Sequence, residues 1–213
     1  MKVTPKHPVP VFPLPDLVLF PHVILPLHVF ELRYRTMVRD ALSGERVIAL
    51  ALLKPGWEGD YQGSPEFHDL GCLARFDEVE WLPNDCYDLK LAGLTRVHFD
   101  RVVREFPYRS AYVKVVEQEP YSEDDPLIQL EKCALIDAAR RARGESEGES
   151  HDLPYEGLVN ALCMTAVTDP VERFKLFELD SVIERGRRLR ETIQRQVRLE
   201  PPPPNCRYQT ALV

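Results

Sequence analysis

No Cys-x-x-Cys pair occurs among the five cysteines, Cys72, Cys86, Cys133, Cys163 and Cys206. Their odd number and scattered spacing exclude a disulfide framework and a zinc knuckle, and they fit a reducing, cytoplasmic setting. The six histidines, His7, His22, His28, His68, His98 and His151, form no His-Glu-x-x-His pair, so neither a metal nor another cofactor is implied. The Gly-x-x-x-x-Gly-Lys-Ser/Thr loop that cradles nucleotide phosphates is also missing. No apolar run is long enough to span a bilayer, and the prolines of "MKVTPKHPVPVFPLP" interrupt any signal-peptide core. Positive charge is scarce too. A net charge of −7 and a pI near 5.4 argue against a general nucleic-acid binder, which must neutralise phosphates with a basic face.

What remains is an ordinary globular composition with one excess. The 213 residues are 44% hydrophobic and 29% charged, and a chain of this size buries about 70% of its unfolded surface without staples. Proline is the excess, at 19 residues. "HPVPVFPLP" and "PPPPN" should be edge strand or extended chain near the two ends.

The stretch "LVLFPHVILPLHVFELRYRTMVRDAL" changes character half-way. Pro21 and Pro26 forbid a continuous helix, because each lacks an amide donor and restricts the residue before it. From Phe30 onward, Phe30, Tyr34, Met37, Val38, Ala41 and Leu42 recur at helical spacing, and Ser43-Gly44 supplies a stop. A strand is therefore expected to feed a helix that covers a sheet. "RVIALALL", 46 to 53, reads as a strand buried on both faces. Residues 54 to 71 hold four glycines and two prolines and read as a long surface loop. Residues 70 to 82 and 86 to 103 form a hairpin around "PND", with a bend or bulge at Gly93, and "SAYVKVVEQ" is a last strand.

After "EPYSEDDP" the period lengthens to that of helices. Leu127, Leu130, Ala134, Leu135 and Ala138 mark one, Leu158, Leu162 and Ala166 another, and Phe174, Phe177, Val182, Leu189, Ile193 and Val197 the rest. Asp125-Pro126, Asp152-Leu153-Pro154 and Asp169-Pro170 offer helix starts. "RARGESEGESHD" reads as a mobile acidic loop between helices. The expected organisation is a strand-rich part, residues 1–120, followed by a helical bundle with a proline-rich tail, residues 121–213.

Several segments, in this order, carry a resemblance. "VPVFPLPDLVLFPHVILPLHVFELRYRTMVRDAL", "DLGCLARFDEVEWLPNDCYDLKLAGLTRVHFDRVV" and "LPYEGLVNALCMTAVTDPVERFKLFELDSVIERGRRLRETI" closely resemble the N-terminal, substrate-binding domain of the Lon proteases, in particular small stand-alone bacterial members. The resemblance implies an α+β fold: a PUA-like β pseudobarrel followed by a helical bundle. It also implies the recognition end of such a machine, detached from motor and peptidase. The function expected is non-catalytic binding of unfolded or partly unfolded polypeptide, or of one protein partner. An RNA-binding PUA-like protein and a hydrolase with a convergent site are the alternatives.

Candidate site residues follow from side chains that the pattern does not explain. Trp57, Tyr61 and Phe67 lie among glycines, prolines and acids, where they are either a recognition surface or a small satellite core. Phe20 marks a possible groove at the sheet edge. Arg96, embedded in an apolar strand, needs an acidic partner, and Glu31 or Asp100 is expected to supply it; the rival reading puts Arg96 on a ligand carboxylate. Arg185, Arg187, Arg188, Arg190, Arg195 and Arg198 make the last helix basic, either as an RNA-binding strip or as a solvated face balanced by Glu178, Glu184 and Glu191.

Overall fold

The computed structural model describes residues 5–61, 63–143 and 153–199, with side chains as far as 197. Its strands are β1 (Val9–Leu14), β2 (Ile24–Val29), β3 (Val47–Leu53), β4 (Phe67–Trp81), β5 (Tyr87–Arg104) and β6 (Arg109–Val115). Helix α1 (Leu32–Ser43) lies between β2 and β3, and α2 (Pro126–Arg143), α3 (Tyr155–Ala166), α4 (Pro170–Phe177) and α5 (Val182–Leu199) follow the strands. This is a mixed α+β fold, strands first and helices after.

The strands lie in the order β2-β5-β4-β3-β1-β6, and β5 also pairs with β6, so that the ladder closes on itself and leaves β2 outside the ring. β1 and β3 are parallel and all other pairs antiparallel. Every residue of β3 is buried, as its apolar run predicts. β1 is not an edge strand, despite its prolines. Pro10 pairs only with β6 and Pro13 only with β3, while Val11 has partners on both sides. Each proline thus sits where the ladder is one-sided and a missing N–H costs nothing. The surface loop is shorter than its composition suggests, because β4 begins at Phe67.

Gly93 permits the bend expected of it. A side chain there would strike the backbone of Phe20, and the register shifts by one residue, from Leu73 opposite Thr95 to Ala74 opposite Gly93.

Two of the anticipated helix starts form in the expected way. Asp125 accepts from the amide of Leu127 at 2.9 Å and Asp169 from that of Val171 at 3.1 Å, each before a proline in the first turn. Asp152 lies outside the described residues. The first amides of α3 go instead to groups on the incoming chain: Tyr155 N donates to Glu123 Oε1 at 2.8 Å and Glu156 N to the Tyr121 hydroxyl at 3.2 Å. In α2 the apolar stripe is Ile128, Leu135, Ala138 and Ala139. Leu127 and Leu130, assigned to that stripe by spacing, are exposed.

One apolar cluster runs through both parts, joining Phe12, Phe20, Met37, Leu50 and Leu91 to Tyr155, Leu158, Phe174, Phe177 and Leu189. Phe20 meets Phe177 edge-on at 5.1 Å, and His68 of β4 lies 4.1 Å from the Phe174 ring.

Candidate functional site

The junction between β2 and α1 carries a surface that the helical spacing did not foretell. The helix starts only at Leu32, so Phe30 keeps the alternation of the strand and points the same way as Ile24, Pro26 and His28. It stacks on His28 with ring centroids 6.1 Å apart and remains 64% exposed. The assignment of Phe30 to a buried helix face is therefore wrong. Leu32, the first residue of the helix, is 70% exposed.

Between them, Glu31 does not cap its own helix. Its carboxylate instead accepts from the Tyr61 hydroxyl at 2.8 Å and from Arg33 Nε at 3.1 Å. Arg33 Nη2 donates to the Tyr61 carbonyl at 3.1 Å, and its guanidinium lies 5.0 Å from the Tyr61 ring. Burial, with the Glu31 hydrogen bond behind it, raises the Tyr61 phenol and keeps it a donor. Trp57 packs edge-on against Tyr61 at 5.5 Å. The glycine-rich loop is thus fastened beside Phe30 and Leu32.

On the other flank, Arg35 Nη1 donates to the Asp85 carbonyl at 3.2 Å and lies 3.1 Å from its carboxylate. Asp85, at φ 63°, closes the β4–β5 turn and accepts from Trp81 Nε1 at 3.2 Å. Trp81 is 70% exposed. The first turn of α1 consequently ties together the Trp57–Tyr61 loop, the Phe30–Leu32 junction and the Trp81 hairpin tip. Exposed apolar side chains held in place by hydrogen bonds make this junction the candidate surface of the fold.

The family model of the "ATP-dependent protease La (LON) substrate-binding domain" matches residues 8–195. The chain belongs to this family. It is 29% identical to the Lon protease of Flavobacterium johnsoniae over 147 residues, 69% of this chain and 17% of that one. It is 31% identical to Lon protease 2 of Myxococcus xanthus over 129 residues, 59% and 16% of the two chains. This chain therefore corresponds to about a sixth of the length of those relatives. Among solved structures it is similar to a Lon N-terminal domain protein from Xanthomonas campestris, with a TM-score of 0.63 and 22% identity over 86% of this chain and 96% of that one. The N-terminal domain of the Mycobacterium avium complex Lon protease also has a TM-score of 0.63, at 20% identity over 88% and 98%.

What the Lon family model covers is the substrate-binding part, which has no catalytic role. One Gly-x-Ser-x-Gly spelling does occur, Gly144-Glu145-Ser146-Glu147-Gly148, outside the described residues. It follows helix α2, whereas a nucleophile elbow needs a strand before it. The buried thiols of Cys72 and Cys163 are pushed up to about 12 by burial, which leaves them unreactive at neutral pH. Among the described residues no helix is long and apolar enough to cross a membrane.

The other anticipated residues of this Lon-type domain are placed elsewhere. Phe20 is fully buried and cannot line a groove. Phe67 lies within β4 and packs edge-on against Phe99 at 5.1 Å, with Arg109 over its face. Arg96 and Glu31 do not pair, and Asp100 bonds Lys114 instead. Arg96, 3% exposed, donates to the carbonyls of Phe177 at 3.0 Å and Glu178 at 3.3 Å and to Asp180 Oδ1 at 2.7 Å. It braces β5 to the α4–α5 link, a partner 84 residues away that no local pattern reveals.

Three of the arginines assigned to the basic strip of α5 have acidic partners, while Arg195 bonds Thr192 and the side chain of Arg198 lies outside the described residues. Arg187 and Arg190 both lie 3.3 Å from Glu131, and Arg188 lies 2.8 Å from Glu184. Arg185 is not on that face at all. It is wholly buried, donating to Asn160 Oδ1 at 2.7 Å and to the carbonyls of Leu176 at 3.1 Å and Leu179 at 2.6 Å. Asn160 in turn donates to the Pro21 carbonyl at 3.0 Å. Burial, with some repulsion from Arg96, pulls Arg185 down to about 10, so it stays charged at neutral pH. The signal was present: Arg185 falls in step with Val182, Leu189 and Ile193 on the apolar stripe.

A further link between the two parts titrates. His22 Nε2 lies 3.6 Å from Glu156 Oε2, which also accepts from Gln118 at 3.1 Å. The Glu156 hydrogen bond raises His22 above 6.5 against the opposing effect of burial. Burial works against ionisation of Glu156, but its bonds from His22 and Gln118 prevail and hold it below 4.5. The His22 contribution is complete below its unfolded pKa and is lost as pH rises through its higher folded pKa. The Glu156 contribution is complete above its unfolded pKa and is lost as pH falls through its lower folded pKa. The pair therefore stabilises most between about pH 4.5 and 6.5. His22→Gln should lower the melting temperature at pH 5.5 and leave it nearly unchanged at pH 8.5. Equal shifts at both values would remove the charge from this account.

Proposed function

We propose that this Lon-type domain binds polypeptide without catalysis, taking up apolar segments of unfolded chains on the surface around the start of α1. The observation that carries this reading is that the first turn of α1, which follows the exposed Phe30 and begins with the exposed Leu32, also holds Tyr61 and with it Trp57 on one flank and, through Asp85, the exposed Trp81 hairpin tip on the other. Aromatic anchors in such a setting contribute about 2 kcal/mol each, so that several give micromolar affinity. Of the two readings open for Trp57 and Tyr61, we take the recognition surface, with both as its flank, while Phe20 and Phe67 serve packing. The reading supposes a reducing cytoplasm, in which Cys72, Cys86, Cys133 and Cys163 remain thiols. The closed ring of strands is read as a PUA-like β pseudobarrel within residues 1–120, with residues 121–213 as its helical partner.

The test is capture of reduced, alkylated lysozyme by the full chain at physiological salt. Replacing Phe30, Leu32 and Trp81 together by Ser should keep the melting temperature and weaken capture about a hundredfold or more. Trp57→Ala with Tyr61→Ala should weaken it less. ATP should make no difference, since no phosphate cradle occurs in the sequence. Full capture by the triple variant would overturn the reading.

A further inference from the structure

The strand that leads to this surface has one side without a neighbour. β2 pairs with β5 from Ile24 opposite Ala92 to Val29 opposite Tyr87, and no strand among the described residues pairs with its other edge. A proline in an edge strand turns its missing N–H to the open side, so Ile24 and His28, of the same parity as Pro26, direct their amides outward. The edge is therefore a broken ladder. Pro26 guards it against indiscriminate pairing but leaves outward amides and carbonyls for a short extended guest.

Charge says which guest. The solvent face of the three-stranded arm formed by β2, β5 and the end of β4 has a shallow groove of about 690 Å³ bordered by Pro26, His28, Glu78, Glu80, Asp88 and Lys90. Lys90 lies 2.7 Å from Glu78, and His28 lies 2.6 Å from Asp88. Glu80 has no basic partner among the described residues and stands directly across from Asp88. Like charges opposite each other on a sheet face are unfavourable, and a cation brought by a partner would relieve them. At one end of the same edge Ile24 is 50% exposed and at the other Phe30 is 64% exposed, so that apolar side chains of a guest have places to lie.

We propose that β2 is a docking edge for an extended polypeptide segment in which apolar residues are interspersed with Lys or Arg. The segment adds as a further strand beside β2, lays apolar side chains on Ile24 and Phe30, and reaches over His28 toward Asp88 and Glu80 with its basic ones. This rests on the polypeptide-binding reading above and adds the backbone mode and the charge preference.

Two labelled decapeptides test it by fluorescence anisotropy on the full chain at physiological salt; both carry Leu near each end, and on the same strand face between those leucines one carries Lys and the other Glu. The Lys peptide should bind roughly tenfold tighter or more, as several unlike cross-strand pairs replace like ones. The Glu80→Lys, Asp88→Lys variant, checked for an unchanged melting temperature, should reverse the order. Versions of the Lys peptide N-methylated at every second residue keep the test independent of that variant's folding. Methylation of one alternate set should abolish binding, and methylation of the other should spare it. Equal affinity for the two parent peptides, or indifference to both methylation patterns, would overturn the inference. If alkylated lysozyme is still captured in that case, the broader reading survives. If the unmodified chain captures no lysozyme, both fall.

Discussion

Arg185→Ala should lower the melting temperature by about 10 °C. The guanidinium is wholly buried and supplies bonds to Asn160, Leu176 and Leu179 from one residue. Removing it strands two carbonyls and an amide oxygen in a space closed to water, and it leaves a cavity beside Phe20, whose ring lies 5.8 Å from the guanidinium. Breaking a buried charged network in this way costs about 3 to 5 kcal/mol, and each kcal/mol corresponds to roughly 2 to 4 °C in a chain of this size. Arg187→Ala is the control, because Arg187 is half-exposed and its bond to Glu131 is a surface pair worth at most about 1 kcal/mol. Thermal melts of the two variants at pH 7 decide the matter. A shift below 2 °C for Arg185→Ala would show that water or a neighbouring side chain replaces the network, and that Arg185 is not the pin between the strands and the helices.

A chain ending at Asp125 should lose soluble, ordered structure. Such a chain keeps all six strands and α1, so strand count alone would predict survival. Packing predicts otherwise, because Phe20 loses Phe177, His68 loses Phe174, and the Pro21 carbonyl loses Asn160. Arg96, bonded in the full chain to Phe177, Glu178 and Asp180, becomes a cation on an uncovered apolar face. Size-exclusion chromatography should show aggregates, and near-ultraviolet circular dichroism should lose its fine structure. A monomeric product with native spectra would instead establish two independently stable units. Both predictions concern the same seam, and they separate its polar pins from its apolar area.

The hydrogen-bond network at that seam also bears on binding. Phe30, Leu32 and Trp81 lie at the β2–α1 junction and at the end of β4, and none of them contributes to the Arg96 or Arg185 bonds. Loss of binding without loss of stability is therefore a meaningful outcome for surface variants, and loss of both marks a seam variant.

By itself the sequence determined whatever depends on neighbours along the chain. The prolines at 21 and 26 and the helical spacing after them dictate a strand that passes into a helix, because an imide nitrogen cannot donate and a one-sided helix must cover something. The unbroken apolar run of β3, the "PND" turn, the bend at Gly93, and the caps at Asp125 and Asp169 are legible for the same local reasons, and ordered segments of this kind sufficed to place the chain in its family. Tertiary structure alone decided which of the odd side chains serve packing and which face solvent. Arg96 and Asp180, Phe20 and Phe177, and Glu31 and Tyr61 are far apart in sequence, and nothing local distinguishes a charge that finds a buried partner from one that meets water. Phe30 shows the limit most plainly. Whether it obeys the period of the strand before it or of the helix after it depends on where the helix begins, and a start at Leu32 leaves the ring on the outer side of the sheet, available to a partner.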